Sequence, residues 1–132
     1  MSLHPLSVTR LPELRAATSL LLAIAERGSD RLTLSQAAFF LFAAKSDVAG
    51  RPATRSQLLT ASGAEFRPSI RNSYRQLLSA SRVYPKALGW LQTKQNPKDL
   101  REQILCLTET GLQVIEGALS AQALAIVHGD DV

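Results

Sequence analysis

Residues 96–116 read NPKDLREQILCLTETGLQVIE, and the physical character of the chain changes twice within them. Asn96-Pro97 is a turn nucleus, because Asn bonds its own backbone and Pro pre-sets φ. LREQILCL follows, with strand character concentrated in Ile104–Leu107. Thr108 is then a good helix N-cap, and Glu109 suits the positive end of a helix dipole. Leu112, Ile115, Leu119 and Ile126 lie along one apolar stripe of the helix that results. Upstream, Trp90–Lys94 (WLQTK) reads as a second short strand, so the strands around NPKD predict a β-hairpin.

The residues before the hairpin are helical. LPELRAATSLLLAIAERG, 11–28, reads as a first helix, with Pro12 in its opening turn and Gly28 as its stop. Leu14, Thr18, Leu21 and Ala25 share one strip, and Leu20 with Ile24 adds another, which predicts burial on two sides. TLSQAAFFLFAAKS reads as a second helix with Thr33 and Gln36 at capping-box spacing. Its Phe39, Phe40 and Phe42 are expected in the core. After the break at Gly50 and Pro52, ATRSQLLTASG reads as a short third helix. Thr54 and Gln57 repeat the capping-box spacing there, and Leu58 and Leu59 point inward.

EFRPSIRNSYRQLL, 65–78, supplies the next helix, expected over 68–80, with Pro68 in its first turn. At ~100° per residue, Ile70, Tyr74, Leu77 and Leu78 point inward. Asn72 lies opposite, flanked by Arg71 and Arg75 on one side and by Ser69 and Gln76 on the other. Two short helices joined through a glycine form a helix-turn-helix pattern, and a hairpin directly after it is a wing.

Charge supports a polyanion as partner. The chain has 132 residues, a formal net charge of +4 and a pI near 9.7. Between Arg51 and Lys98 there are nine basic residues and one acid, Glu65, giving that window +8 while the rest carries −4. Such segregation is the footprint expected of a phosphate-backbone reader, although a solvated basic surface has the same composition. On the exposed helix face, arginine can take both acceptors of guanine, and Asn or Gln can pair with adenine. Arg67, near the helix start, serves a phosphate or a base, and Arg51 and Arg55 meet phosphate. In the wing, Lys94, Lys98 and Arg101 are candidates for the backbone or minor groove.

NPKDLREQILCLTETGLQVIE also resembles the wing and following helix of MarR-type winged helix-turn-helix regulators. The residues that carry the likeness are Asp99, Arg101, Leu107, Thr108 and Gly111, in register without gaps. LTLSQAAFFLFAA and TRSQLLTASG resemble the family's preceding helices, so the likeness covers roughly Leu32 to Glu116. It implies a DNA-binding transcriptional regulator, a dimeric repressor on a pseudo-palindromic operator. The fold implied is mainly α with a small β-hairpin. One domain spans 1–132, with a DNA-binding core at about 32–108 and a wing near 90–107. Dimerisation helices flank it at about 11–28 and 109–127. It also implies that Asp99 braces Arg101 as that arginine approaches the minor groove. Leu100 stands where the family has a second arginine, and the link Ser79–Leu88 is longer than usual. Only 25 residues follow Leu107, room for one helix where the family has two. The short form resembles variants carried by phages or plasmids.

Other classes have little in their favour. Cys106 cannot form an intramolecular disulfide, which suits a reducing cytoplasm. Strand alternation puts it with Ile104, opposite Leu105 and Leu107, as an inert residue rather than an oxidant sensor. The N-terminus lacks the layout of a signal peptide, and its longest apolar run, Leu20–Ala25, is far short of a membrane span. His4 and His128 have no metal-ligand partner in sequence, and there is no nucleophile motif, P-loop or dinucleotide fingerprint. The expectation is a cytoplasmic, non-enzymatic protein with no cofactor, no metal and no membrane. Its partners are double-stranded DNA and a second copy of itself. The resemblance also allows a small-molecule effector, held between the dimer helices and the reading head, but no residue points to its chemistry. The competing expectation is a winged-helix module that binds an acidic protein.

Overall fold

The computed structural model describes residues 10–28, 32–61 and 74–127, without the side chains of 59–61. These residues are mainly helical, with one two-stranded antiparallel hairpin. The order is α1 (Leu11–Arg27), α2 (Leu34–Val48), α3 (Arg55–Ala61), a 3-10 turn (Tyr74–Leu77), β1 (Leu91–Asn96), β2 (Asp99–Leu107) and α4 (Glu109–Val127).

Helix starts follow the local chemistry. Thr33 and Gln36 form a reciprocal capping box, each side chain bonding the other's backbone N–H at 2.9–3.0 Å. Thr54 and Gln57 repeat it at 3.0 Å ahead of α3. Pro12 stands in the opening turn of α1, and the Gly28 N–H closes that helix on the Ile24 carbonyl at 2.9 Å. Thr108 Oγ1 caps α4 by accepting from the Gly111 N–H at 3.0 Å.

The core is centred on α2. Phe39 and Phe40 are fully buried and point to different neighbours. Phe39 packs on Tyr74 with ring centroids 5.4 Å apart, and Phe40 packs on Trp90 at 4.8 Å. One helix thereby holds both the 3-10 turn and the root of the hairpin. Phe42, expected in the core, is only half-buried, and the Lys45 ammonium sits 4.4 Å from its ring centroid. It packs against the edge of the core and meets the cation on its open side.

The helix expected over 68–80 does not reach Ala80. Its described part is the 3-10 turn, which ends at Leu77, and residues 67–73 lie outside the described residues. Competition for carbonyls explains the stop. The N–H groups of Leu88, Trp90 and Gly89 bond the carbonyls of Gln76, Leu77 and Leu78 at 2.7–2.8 Å. Those acceptors are no longer free to carry a helix forward. Tyr74 and Leu77 are buried, as their spacing predicts.

The hairpin pairs Leu91 with Leu107 through Gln95 with Gln103, and its register shifts at Asn96. It is not isolated. Thr54 forms an antiparallel bridge to Ile104, and the Leu105 N–H donates to the Ala53 carbonyl at 3.0 Å. The segment before α3 thus acts as a short third strand on β2. Leu105 and Cys106 are both buried, so the alternation expected at the end of β2 is lost where neighbours enclose both faces.

The terminal helices, α1 and α4, pack along each other more extensively than any other helix pair described. Ala16 and Ile24 of α1 and Gly111, Val114, Ile115 and Ala118 of α4 are buried. Ile115 therefore leaves the stripe on which Leu112, Leu119 and Ile126 remain exposed. By length and composition alone α4, 19 residues long with a mean hydropathy of 1.3 over 18 of them, is long and apolar enough to cross a membrane. Its inner face instead belongs to the core.

Candidate nucleic-acid interface

Four of the expected site residues, Arg67, Ser69, Arg71 and Asn72, lie outside the described residues. The others fall on three connected elements. Arg51 and Arg55 precede and open α3, and both are exposed. Arg75 and Gln76 are on the 3-10 turn, Arg75 exposed and Gln76 half-buried rather than fully presented. Lys94 is on β1, Lys98 in the hairpin tip and Arg101 on β2.

These elements are coupled by contacts. Arg55 Nη1 lies 3.5 Å from the Tyr74 hydroxyl, a long bond that still links α3 to the 3-10 turn. The Thr54–Ile104 bridge ties the start of α3 to the hairpin. The basic side chains are thus carried by one frame, although they come from positions up to 50 residues apart (Arg51 to Arg101).

The hairpin tip is built from two local devices. Asn96 Oδ1 accepts from the Lys98 N–H at 3.0 Å and sets the turn. Asp99 Oδ1 accepts from the Arg101 N–H at 3.1 Å and from Arg101 Nε at 3.3 Å. That double contact joins the two residues for which the resemblance implies a brace. The Arg101 side chain is nevertheless 91% exposed. In water such a pair contributes only ~0–1 kcal/mol to stability, so its effect is to restrict where the guanidinium points.

The hairpin root is fixed by partly buried polar contacts that single-sequence reading missed. The Leu107 N–H donates to Asp47 Oδ2 at 2.8 Å, across 60 residues of chain. Gln92 Nε2 donates to the Leu107 carbonyl at 3.1 Å, and Thr108 Oγ1 donates to the Gly89 carbonyl. Capping and turn rules cover only near neighbours, so no local signal marks Asp47 as a partner of the strand. Burial pushes the Cys106 thiol up from its ordinary value, and Asp47 adds to that while Lys94 opposes it. This is the reverse of what a reactive thiolate needs.

Elsewhere, a cleft of about 350 Å³ lies between α1 and the start of α2, lined by Leu21, Ile24, Ala25, Leu32, Thr33, Leu34 and Ala37. Thr33 is its polar member, and that hydroxyl already accepts a bond in the capping box. Among the described residues no cluster of His, Cys, Asp and Glu could hold a metal ion. Compared with protein-family models, curated proteins and solved structures, the chain has no match.

Proposed function

We propose that the chain is a sequence-specific regulator of transcription that binds double-stranded DNA through a winged helix-turn-helix and acts in the cytoplasm as a dimeric repressor. The observation that carries this reading is the braced arginine at the hairpin tip. The Arg101 side chain is almost wholly exposed, yet its Nε donates to Asp99 Oδ1 at 3.3 Å, the same oxygen that accepts its backbone N–H. An oriented, solvent-facing guanidinium is what a minor-groove or backbone contact requires. Arg51, Arg55, Arg75, Lys94 and Lys98 are exposed as well and would serve phosphate in this reading. The segment 68–77 is the major-groove reader in this scheme, with Arg71, Asn72 and Arg75 as its base-reading side chains.

The second copy would sit on the outer side of the α1–α4 pair. Leu14, Leu21 and Leu22 of α1 and Leu112, Leu119 and Ile126 of α4 are exposed there. Thr18, one turn from Leu14, is exposed too, and its hydroxyl is occupied by the Leu14 carbonyl at 2.8 Å. Exposed apolar area of this extent marks an interaction surface, and a palindromic operator calls for two reading heads.

In-vitro selection from a random duplex library at ~150 mM salt tests the reading, because non-specific phosphate binding is weakened there. The expected result is a palindromic motif with half-sites about one helical turn apart. Binding should weaken on Arg101→Ala and on Asp99→Ala, the latter with the arginine still present. A folded protein that enriches no sequence would overturn the proposal and favour an acidic protein as the partner.

A further inference from the structure

We infer that the loop of residues 79–87, between the 3-10 turn and β1, is a third DNA-contacting element whose Arg82 and Lys86 neutralise backbone phosphates. This rests on the DNA-binding reading above and extends it to residues outside the helix-turn-helix and the hairpin.

The loop is anchored at its base. The three backbone bonds from Leu88, Gly89 and Trp90 to the carbonyls of Gln76, Leu78 and Leu77 lay its returning strand against the end of the reading segment. Gly89, with φ of +70°, supplies the left-handed conformation from which the chain enters β1. The interior is a built turn as well. The Ser81 and Ala87 N–H groups both donate to the Tyr84 carbonyl, at 3.1 and 3.2 Å, and the Tyr84 N–H donates to Ser81 Oγ at 3.1 Å. Much of the entropy cost of ordering this loop is therefore met on folding rather than on binding.

The tip presents charge that nothing nearby cancels. Arg82, Val83 and Lys86 are exposed, Val83 at 76%. No acidic residue occurs between Glu65 and Asp99. Among the described residues the ion pairs are Arg10–Glu13 and Asp99–Arg101, and neither involves the loop.

Placement follows from the anchoring bonds, which put the base of the loop directly beside Gln76, Leu77 and Leu78 at the end of the 3-10 turn that carries Arg75. In the DNA-binding reading, the loop therefore adjoins the reading segment. Arginine can hold a phosphate through two parallel N–H bonds, and lysine acts there as a point charge.

The test is the salt dependence of operator affinity, measured on the full chain between ~50 and ~200 mM salt with the duplex recovered by selection. Each phosphate contact contributes ~0.9 to the slope of log affinity against log salt, and a bound dimer carries two copies of the loop, so R82A/K86A should lower that slope by ~3.6. The ratio of operator to random-duplex affinity should stay unchanged, because phosphate contacts carry no sequence information. R82K/K86R should restore the slope. R10A/R27A removes the same charge from α1 and should leave the slope as it was. An unchanged slope in R82A/K86A overturns the loop's role while leaving DNA binding intact. Equal losses in both alanine pairs also overturn it, by reducing the effect to overall charge. A wild-type protein with no specific DNA binding overturns the underlying reading together with this one. If Val83→Ser then abolishes capture of an acidic protein, the loop is a protein-docking element instead.

Discussion

Gly111, in the first turn of α4, lies so close to the Trp90 carbonyl that a Cβ placed on it would be 2.0 Å from the oxygen. That oxygen is itself held, because it accepts the Thr108 N–H at 3.1 Å. Neither partner has room to give. Gly111→Ala should therefore destabilise the fold by ~1–3 kcal/mol or more, as overpacking does. Helix propensity argues for the opposite sign, since alanine in a helix is favoured over glycine by up to ~1 kcal/mol. Gly117→Ala, in the same helix, is the control. Its added Cβ meets only the flexible end of Arg27 at 4.0 Å, so it should stabilise by ~0.5–1 kcal/mol. Chemical denaturation of both variants checks the pair, and equal shifts would contradict the geometry.

Asp47 tests the attachment of the hairpin to α2. Asp47→Ala leaves the Leu107 N–H without its acceptor in a partly buried site, which should cost ~1–3 kcal/mol. Asp47→Asn keeps an acceptor oxygen and should lose less. Amide exchange at Leu107 is the specific readout: it should accelerate in Asp47→Ala more than exchange at Leu105, whose N–H is held by Ala53.

Cys106 should be slow to react. Its thiol is raised by burial and by Asp47, so it stays neutral at physiological pH, and a neutral thiol is a poor nucleophile. Alkylation at pH 8 should be far slower in the native protein than in the urea-unfolded chain. The raised value also has a sign for stability. The folded state favours the protonated thiol, so its contribution is complete below the unfolded value of ~8.5 and declines as pH rises past it. Cys106→Ala should remove that alkaline decline. Rapid native-state alkylation would point to a different environment for the sulfur.

Leu21→Glu and Leu119→Glu test the proposed self-association. Both side chains are about half exposed, so neither change should unfold a monomer. Each places a charge on the surface proposed for the second copy, where burial without a partner is costly. Sedimentation should show the wild type as a dimer and each variant shifted to monomer. A wild-type monomer across the micromolar range would rule out this use of the surface.

Legibility in the sequence tracks distance along the chain. Thr33–Gln36, Thr54–Gln57 and Thr108 at the start of α4 could be read because capping is settled by residues within one turn. The Asp99–Arg101 contact came from a motif whose members are two residues apart. Gln76 was read too simply, since helical angles alone say nothing of the chain returning at Leu88, whose N–H takes its carbonyl.

By itself, then, the sequence determined helices α1 to α4, the hairpin around Asn96-Pro97 and the clustering of positive charge between Arg51 and Lys98. Each depends on periodicity, turn chemistry or composition. Only the tertiary structure decided that Ala53 and Thr54 extend the hairpin, that Asp47 holds Leu107, and that the 3-10 turn stops at Leu77. It also placed Ile115 inside while Leu112 and Leu119 stayed out. The physical reason is shared. A backbone N–H or carbonyl must find a partner when buried, and an apolar stripe must find a neighbour, but neither need is written into the partner's sequence position. Packing makes that choice once the elements meet.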